Sequence, residues 1–254
     1  MSRAQNVETV LAAFDSLFSQ LVGRLENREE ASERDAPIVP LLQTVLSNAK
    51  AAKFLHLAGV RWALIANARA ALEAATDAVY FTNYQPRTEA TARCSVFEIF
   101  EFALLRADMD VDSDVSEADV AATLSKASRG PLKKAAATDA YDPEFAEAIR
   151  KAVVDLDATF QRERKRRRYV PHWSTLSYYK RAGVVGGVVG GGGMAKDLRL
   201  TYSLLSRGVH ARMRAQERTA AYGLDPASIL GGCTVALQLG IAAFDMCPLR
   251  LKTA

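Results

Sequence analysis

Arg69 and Glu73 stand four residues apart in a segment, Val60 to Phe81, that is otherwise apolar or alanine-rich around almost its whole circumference. At 100° per residue, Arg69, Glu73 and Tyr80 fall within a narrow arc of one helix face, with Trp62 in the same stripe. Arg199, Ser203, Ser206 and His210 form a second stripe on another helical segment. Two chemistries suit these residue types. In the first, His210 removes the proton of an RNA 2′-hydroxyl while Arg199, Arg207 or Arg69 stabilises the crowded phosphate, which is metal-independent cleavage. In the second, Arg69 and His210 bind a small anion or a partner protein without turnover. Each stripe also has a structural reading. Arg69 and Glu73 at i and i+4 make an ion pair that fixes helix register, with further hydrogen bonds offsetting its desolvation. Leu198, Leu200, Leu204, Leu205 and Val209 lie opposite His210, so the second stripe also reads as a solvent-facing surface.

Other chemistries lack their residues. The only histidines are His56, His172 and His210, there is no His-Glu-x-x-His, and no pair of Glu-x-x-His motifs exists for a di-iron bundle. No Gly-x-Ser-x-Gly elbow occurs. No metal and no cofactor is expected. The glycine-rich run VVGGVVGGGGMAKD lacks a Gly-Lys-Ser/Thr ending and a preceding strand, so it reads as a flexible connector, able to serve as a mobile lid, rather than a phosphate loop.

Helix signals dominate the elements that must position these residues. Val7, Leu11, Phe14, Phe18, Leu21 and Leu25 recur at helical spacing up to the charged linker ENREEASERD. Pro37 and Pro40 open a long apolar region to Tyr84, divided into two helices near Gly59. Thr88 to Ala107 predicts another helix with Phe97, Phe100 and Leu104 on its core face, and Asp108, Asp110, Asp112 and Asp114 predict an acidic loop. Ser116 with Asp119 resembles a capping box for a short helix, and Asp142-Pro143 and Asp225-Pro226 each give a cap and first-turn pair. Ile149, Val153, Leu156 and Phe160 give the Pro143 helix its apolar face. Between Asp225 and Asp245 there is no charge. Ile229 to Phe244 is long enough to raise a membrane span, yet Gly231, Gly232, Gln238 and Gly240 favour a buried C-terminal helix.

Basic residues cluster once, at Arg162, Arg164, Lys165, Arg166, Arg167 and Arg168, followed by Tyr169, His172 and Trp173. Guanidinium groups neutralise phosphates and aromatic rings stack on bases, which makes this run the candidate RNA contact. A solvated face at the negative end of a helix dipole is its structural alternative.

The Arg-x-x-x-Glu helix with Tyr80, then His172-Trp173-Ser174, then Tyr202-x-x-x-Ser206-x-x-x-His210, resembles a bacterial family known as a domain of unknown function. The resemblance covers about residues 55 to 215. It implies an all-helical bundle similar to the HEPN superfamily, whose members include metal-independent RNases and toxins. It also implies functional positions at Arg69, Glu73, Trp173, Tyr202, Ser206 and His210. HEPN nucleases share an Arg a few residues ahead of a His, and here Arg207 is closer and Arg199 farther than that pattern.

The 254 residues are 49% hydrophobic, enough to bury a sizeable core. Lys and Arg number 33 against 29 Asp and Glu, so the net charge of +4 does not by itself indicate nucleic-acid binding. Cys94, Cys233 and Cys247 are odd in number and widely spaced, which argues against a disulfide framework and fits a reducing cytoplasm. The N-terminus MSRAQNVETV does not read as a signal peptide. The expectation is therefore an all-α, HEPN-like multi-helix bundle, a single domain over 1–254, with 1–36 an N-terminal helix and linker and 37–254 the bundle core. It would be cytoplasmic and homo-oligomeric, with RNA as a candidate partner and no membrane partner.

Overall fold

A computed structural model describes residues 3–28, 35–110, 143–165, 172–210 and 225–247, excepting the side chains of 3–5, 62, 99–110, 157, 160–165, 208 and 210. The fold is an all-α multi-helix bundle. Among the described residues the helices are α1 (Arg3–Glu26), α2 (Ile38–Leu57), α3 (Arg61–Asn83), α4 (Arg87–Asp110), α5 (Pro143–Lys165), α6 (Tyr178–Val189), α7 (Gly191–His210) and α8 (Pro226–Met246). The chain divides into two compact units, one formed by Met1–Tyr84 with Tyr178–Ala254 and the other by Gln85–Ser177.

In the first unit α3 packs against α2, α6, α7 and α8, and α8 also packs on α1 and α2. The alanine-rich sequence of α3 explains this position. Leu64, Ile65, Ala68, Ala71, Leu72, Ala75, Ala78, Val79 and Phe81 are all nearly inaccessible, so small side chains let neighbours approach on several sides. The break between α2 and α3 comes from Gly59, whose φ of 73° suits glycine best. Gly59 N–H donates to the His56 carbonyl and Val60 N–H to the Leu55 carbonyl, the paired bonds of a Schellman stop. At the start of α8 the Asp225 carboxylate accepts the Ser228 N–H at 2.7 Å, with Pro226 opening the helix. Among the described helices, α8 alone is long and apolar enough to cross a membrane, and 61% of its apolar window is buried.

The glycine-rich run is not a flexible connector. Val184–Val189 completes α6, Gly190 is a turn, and Gly191, with φ 75°, opens α7. Helix propensity disfavours this, and packing reverses the outcome: a Cβ on Gly186 would lie 2.4 Å from the backbone of Ala195. Glycine lets the two helices of this hairpin approach backbone to backbone, which recovers by contact what propensity loses.

The second unit pairs α4 with α5 through Ala90, Cys94, Val96, Phe97, Ile149, Ala152 and Leu156. Buried Arg93 donates from Nη1 to Asp155 at 3.1 Å and from Nε to the Trp173 carbonyl at 3.4 Å. Asp108 and Asp110, expected in a loop, continue α4 to its end, and Asp112, Asp114, Ser116, Asp119 and Asp142 lie outside the described residues. Phe100, Leu104 and Phe160 are helical, with side chains outside the description.

Candidate functional site

On α3 the polar positions 69, 73, 76 and 77 recur at helical spacing and meet the open end of the α6–α7 hairpin. Arg69 donates from Nη2 to Glu73 Oε1 at 3.1 Å and from Nε to the same oxygen at 3.3 Å. The same Nη2 donates to the Tyr202 hydroxyl on α7 at 2.9 Å, and the Arg69 Cζ lies 5.0 Å from the centre of that ring. The pair's side chains keep 22% and 34% of their surface exposed, so the group is only partly withdrawn from water.

Tyr202 is stacked on Tyr178, the first residue of α6, at 3.8 Å between centroids and 14° between planes. Thr76 donates its hydroxyl proton to the Leu72 carbonyl at 2.8 Å. Its oxygen is therefore the acceptor in the 3.1 Å contact with the Tyr178 hydroxyl. Beneath this stack Arg181 donates from Nε to Asp77 at 2.7 Å, with side chains 6% and 14% exposed. The Arg181 Cζ sits 5.8 Å from the Tyr178 ring centre. Two arginine–carboxylate pairs thus back two stacked phenols.

Electrostatics fix the state of these groups. Burial, with the Asp77 and Glu73 carboxylates adding to it, pushes the Tyr178 phenol well above the usual tyrosine range, against a smaller opposing effect of Arg181. Burial and then the Glu73 carboxylate raise Tyr202, against a smaller opposing effect of Arg69. Burial alone would lower Arg69, but Glu73 and Tyr202 more than offset it and raise it overall. At neutral pH both phenols therefore keep their protons and the guanidinium keeps its charge. The cluster supplies positioned hydrogen-bond donors rather than a phenolate base.

The expected residues are distributed unevenly around this cluster. Arg69, Glu73 and Tyr202 come together. Tyr80 is buried at the far end of the α3 stripe, its ring 6.0 Å from Tyr84. Ser203 and Ser206 are half-buried on α7, Arg207 is exposed, and Trp62 and His210 are helical with side chains outside the description. Arg199 is exposed and turns to α6, where Nε donates to the Tyr179 carbonyl at 3.0 Å. Gly183 makes room for that turn: a Cβ there would stand 2.4 Å from Arg199 Nη2. Trp173 belongs to the second unit, buried, its ring centre 5.0 Å from that of His172. There His172 Nδ1 lies 2.7 Å from Ser174 Oγ and accepts the Ser174 N–H at 3.1 Å. Arg164 and Lys165 end α5 with side chains outside the description, and Arg166, Arg167 and Arg168 lie outside the described residues.

Thr76, Asp77, Tyr178 and Arg181 were missed from sequence. Asp77 follows Glu73 by four residues in an apolar helix, a signal as good as the one that marked Arg69. Arg181 stands beside Lys180, and nothing in the local sequence distinguishes the buried cation from its exposed neighbour. Among the described residues no three His, Cys, Asp or Glu side chains converge as a metal site.

No protein-family model, no curated protein and no solved structure matches this chain.

Proposed function

We propose that the chain is a non-enzymatic helical module that binds a small anionic group, phosphate or carboxylate, through Arg69. One observation carries this reading. Nε and Nη2 of Arg69 are anchored by Glu73 and Tyr202, while Nη1 has no hydrogen-bond partner among the described residues. A guanidinium held this way offers a fixed donor edge to an acceptor, with little side-chain entropy left to lose. Glu73 cancels most of the local net charge, so recognition rests on directed hydrogen bonds more than on long-range attraction, and affinity is modest. Calorimetric titration with inorganic phosphate, adenosine monophosphate and citrate tests this. At least one binds to the wild type, Arg69→Ala abolishes binding, and Glu73→Gln, which removes a competing carboxylate, tightens it several-fold. Binding unchanged in Arg69→Ala overturns the proposal.

A second reading, a HEPN-like metal-independent RNase, draws support from α7. Arg199 and Arg207 are both exposed on the helix that ends at His210, and the three positions fall on one side of it. The basic run at the end of α5 would then contact RNA, and homo-oligomerisation and a cytoplasmic location accompany this reading. It requires cleavage of single-stranded RNA in EDTA by the wild type and its loss in His210→Ala. Cleavage absent from the wild type, or equal in the variant, dismisses it.

A further inference from the structure

Between Asp35 and Glu73 the chain carries Lys50, Lys53, Arg61 and Arg69 and not one carboxylate. This stretch builds α2, its Schellman stop and most of α3. The inner face of α2 buries Ile38, Leu42, Val45, Ala49 and Ala52. Its outer face begins polar, with Gln43, Ser47 and Lys50 exposed, and turns apolar only in the last turn. There Phe54 is 70% exposed and Leu57 68%, followed by Val60 at 39% in the turn to α3. Side chains exposed to that degree project from the surface rather than line a groove.

Charge and area decide what covers them. A second copy of this chain, related by a two-fold axis through the projection, would bring the two Lys50 side chains to one contact, and like charges disfavour it. Three projecting side chains offer roughly 300–400 Å², well short of what a stable protein–protein interface buries. Insertion into a bilayer needs no more than a few apolar side chains with cationic neighbours at headgroup depth. Lys53 is engaged by Asp15 of α1 and Arg61 is half-buried, while Lys50 is exposed one turn ahead of Phe54 on α2. We infer that the α2–α3 tip docks on anionic lipid bilayers, inserting Phe54, Leu57 and Val60 while Lys50 meets the headgroups. This is peripheral binding, independent of the Arg69 cluster and of any membrane span.

Co-sedimentation of the full chain with phosphatidylcholine vesicles, with and without phosphatidylserine, tests it. Wild type partitions onto the phosphatidylserine vesicles at low salt. Phe54→Ser/Leu57→Ser lowers the partition coefficient more than about tenfold, and Lys50→Gln lowers it about fivefold. Because both replaced apolar residues are exposed, the double variant keeps the wild-type unfolding midpoint, and Arg69→Ala keeps wild-type partitioning. Three outcomes overturn the inference: no partitioning by the wild type, partitioning unchanged in the double variant, or wild-type self-association in ultracentrifugation that the double variant abolishes without any vesicle binding.

Discussion

Arg69 on α3 donates to the hydroxyl of Tyr202 on α7 at 2.9 Å, across 133 residues of sequence, and that bond joins the two polar stripes. The connection falls at Tyr202, on the edge of the α7 stripe, rather than at Arg199, which is spent on the Tyr179 carbonyl. Arg69 therefore answers to two partners, and loosening either alters the donor edge that faces outward.

Tyr202→Phe removes the acceptor while keeping the ring stacked on Tyr178. Because the group is partly exposed, the loss sits at the lower end for a hydrogen bond to a charge, about 1 kcal/mol. Chemical denaturation should show that loss with an unchanged m-value. Anion affinity at Arg69 should fall a few-fold as the guanidinium gains freedom.

Gly186 and Gly187 are neighbours in α6 with opposite expected responses to alanine. Gly186→Ala drives a methyl into the Ala195 backbone and should cost about 1–3 kcal/mol. A Cβ on Gly187 would meet nothing within 4 Å, so Gly187→Ala should gain about 0.5–1 kcal/mol from helix propensity. Two thermal melts decide it, and equal shifts would refute the close contact.

Asp77→Ala removes the carboxylate to which deeply buried Arg181 donates, and should destabilise the protein by about 3–5 kcal/mol. Replacing both together, as Asp77→Leu/Arg181→Met, should recover most of that loss, since no buried charge is stranded. A double-mutant cycle measures the coupling.

Alkaline pH should destabilise the fold through three acids whose folded values lie above their unfolded ones. Cys233, fully buried in α8, is pushed from 9.0 up to about 12, and Tyr178 and Tyr202 are raised as well. The folded state holds these protons more tightly, so their stability contribution is complete below about pH 9 and is lost progressively above it. Denaturation midpoints should be flat from pH 7 to about 9 and then fall. Cys233→Ala should flatten the earliest part of that fall.

Local rules made much of the fold legible. Gly59 marked the α2–α3 break because a helix stop needs a residue at positive φ, and Asp225-Pro226 marked the start of α8 because a capping carboxylate and a first-turn proline act within one turn. The i,i+4 spacing of Arg69 and Glu73 likewise announced their pair. What escaped depends on contacts distant in sequence. The glycine run is helical because its first half, in α6, packs on its second half, in α7, with Gly186 against Ala195, and helix propensity does not report that contact. Tyr178 and Arg181 join the site only once the hairpin folds back on α3, and the side chain of Arg199 bends toward α6 through space that Gly183 vacates.

The turn at Gly190 and Gly191 acts, in effect, as a phase setter. Positions 183 and 199, 186 and 195, and 179 and 202 face each other across it, so hairpin length and helix rotation are locked together. One residue inserted into that turn would rotate α7 by about 100° relative to α6 and swing Tyr202 off Arg69, with no side chain in the cluster altered. The donor edge of Arg69 is thus encoded partly in a loop length, at the end of the hairpin opposite to the cluster itself.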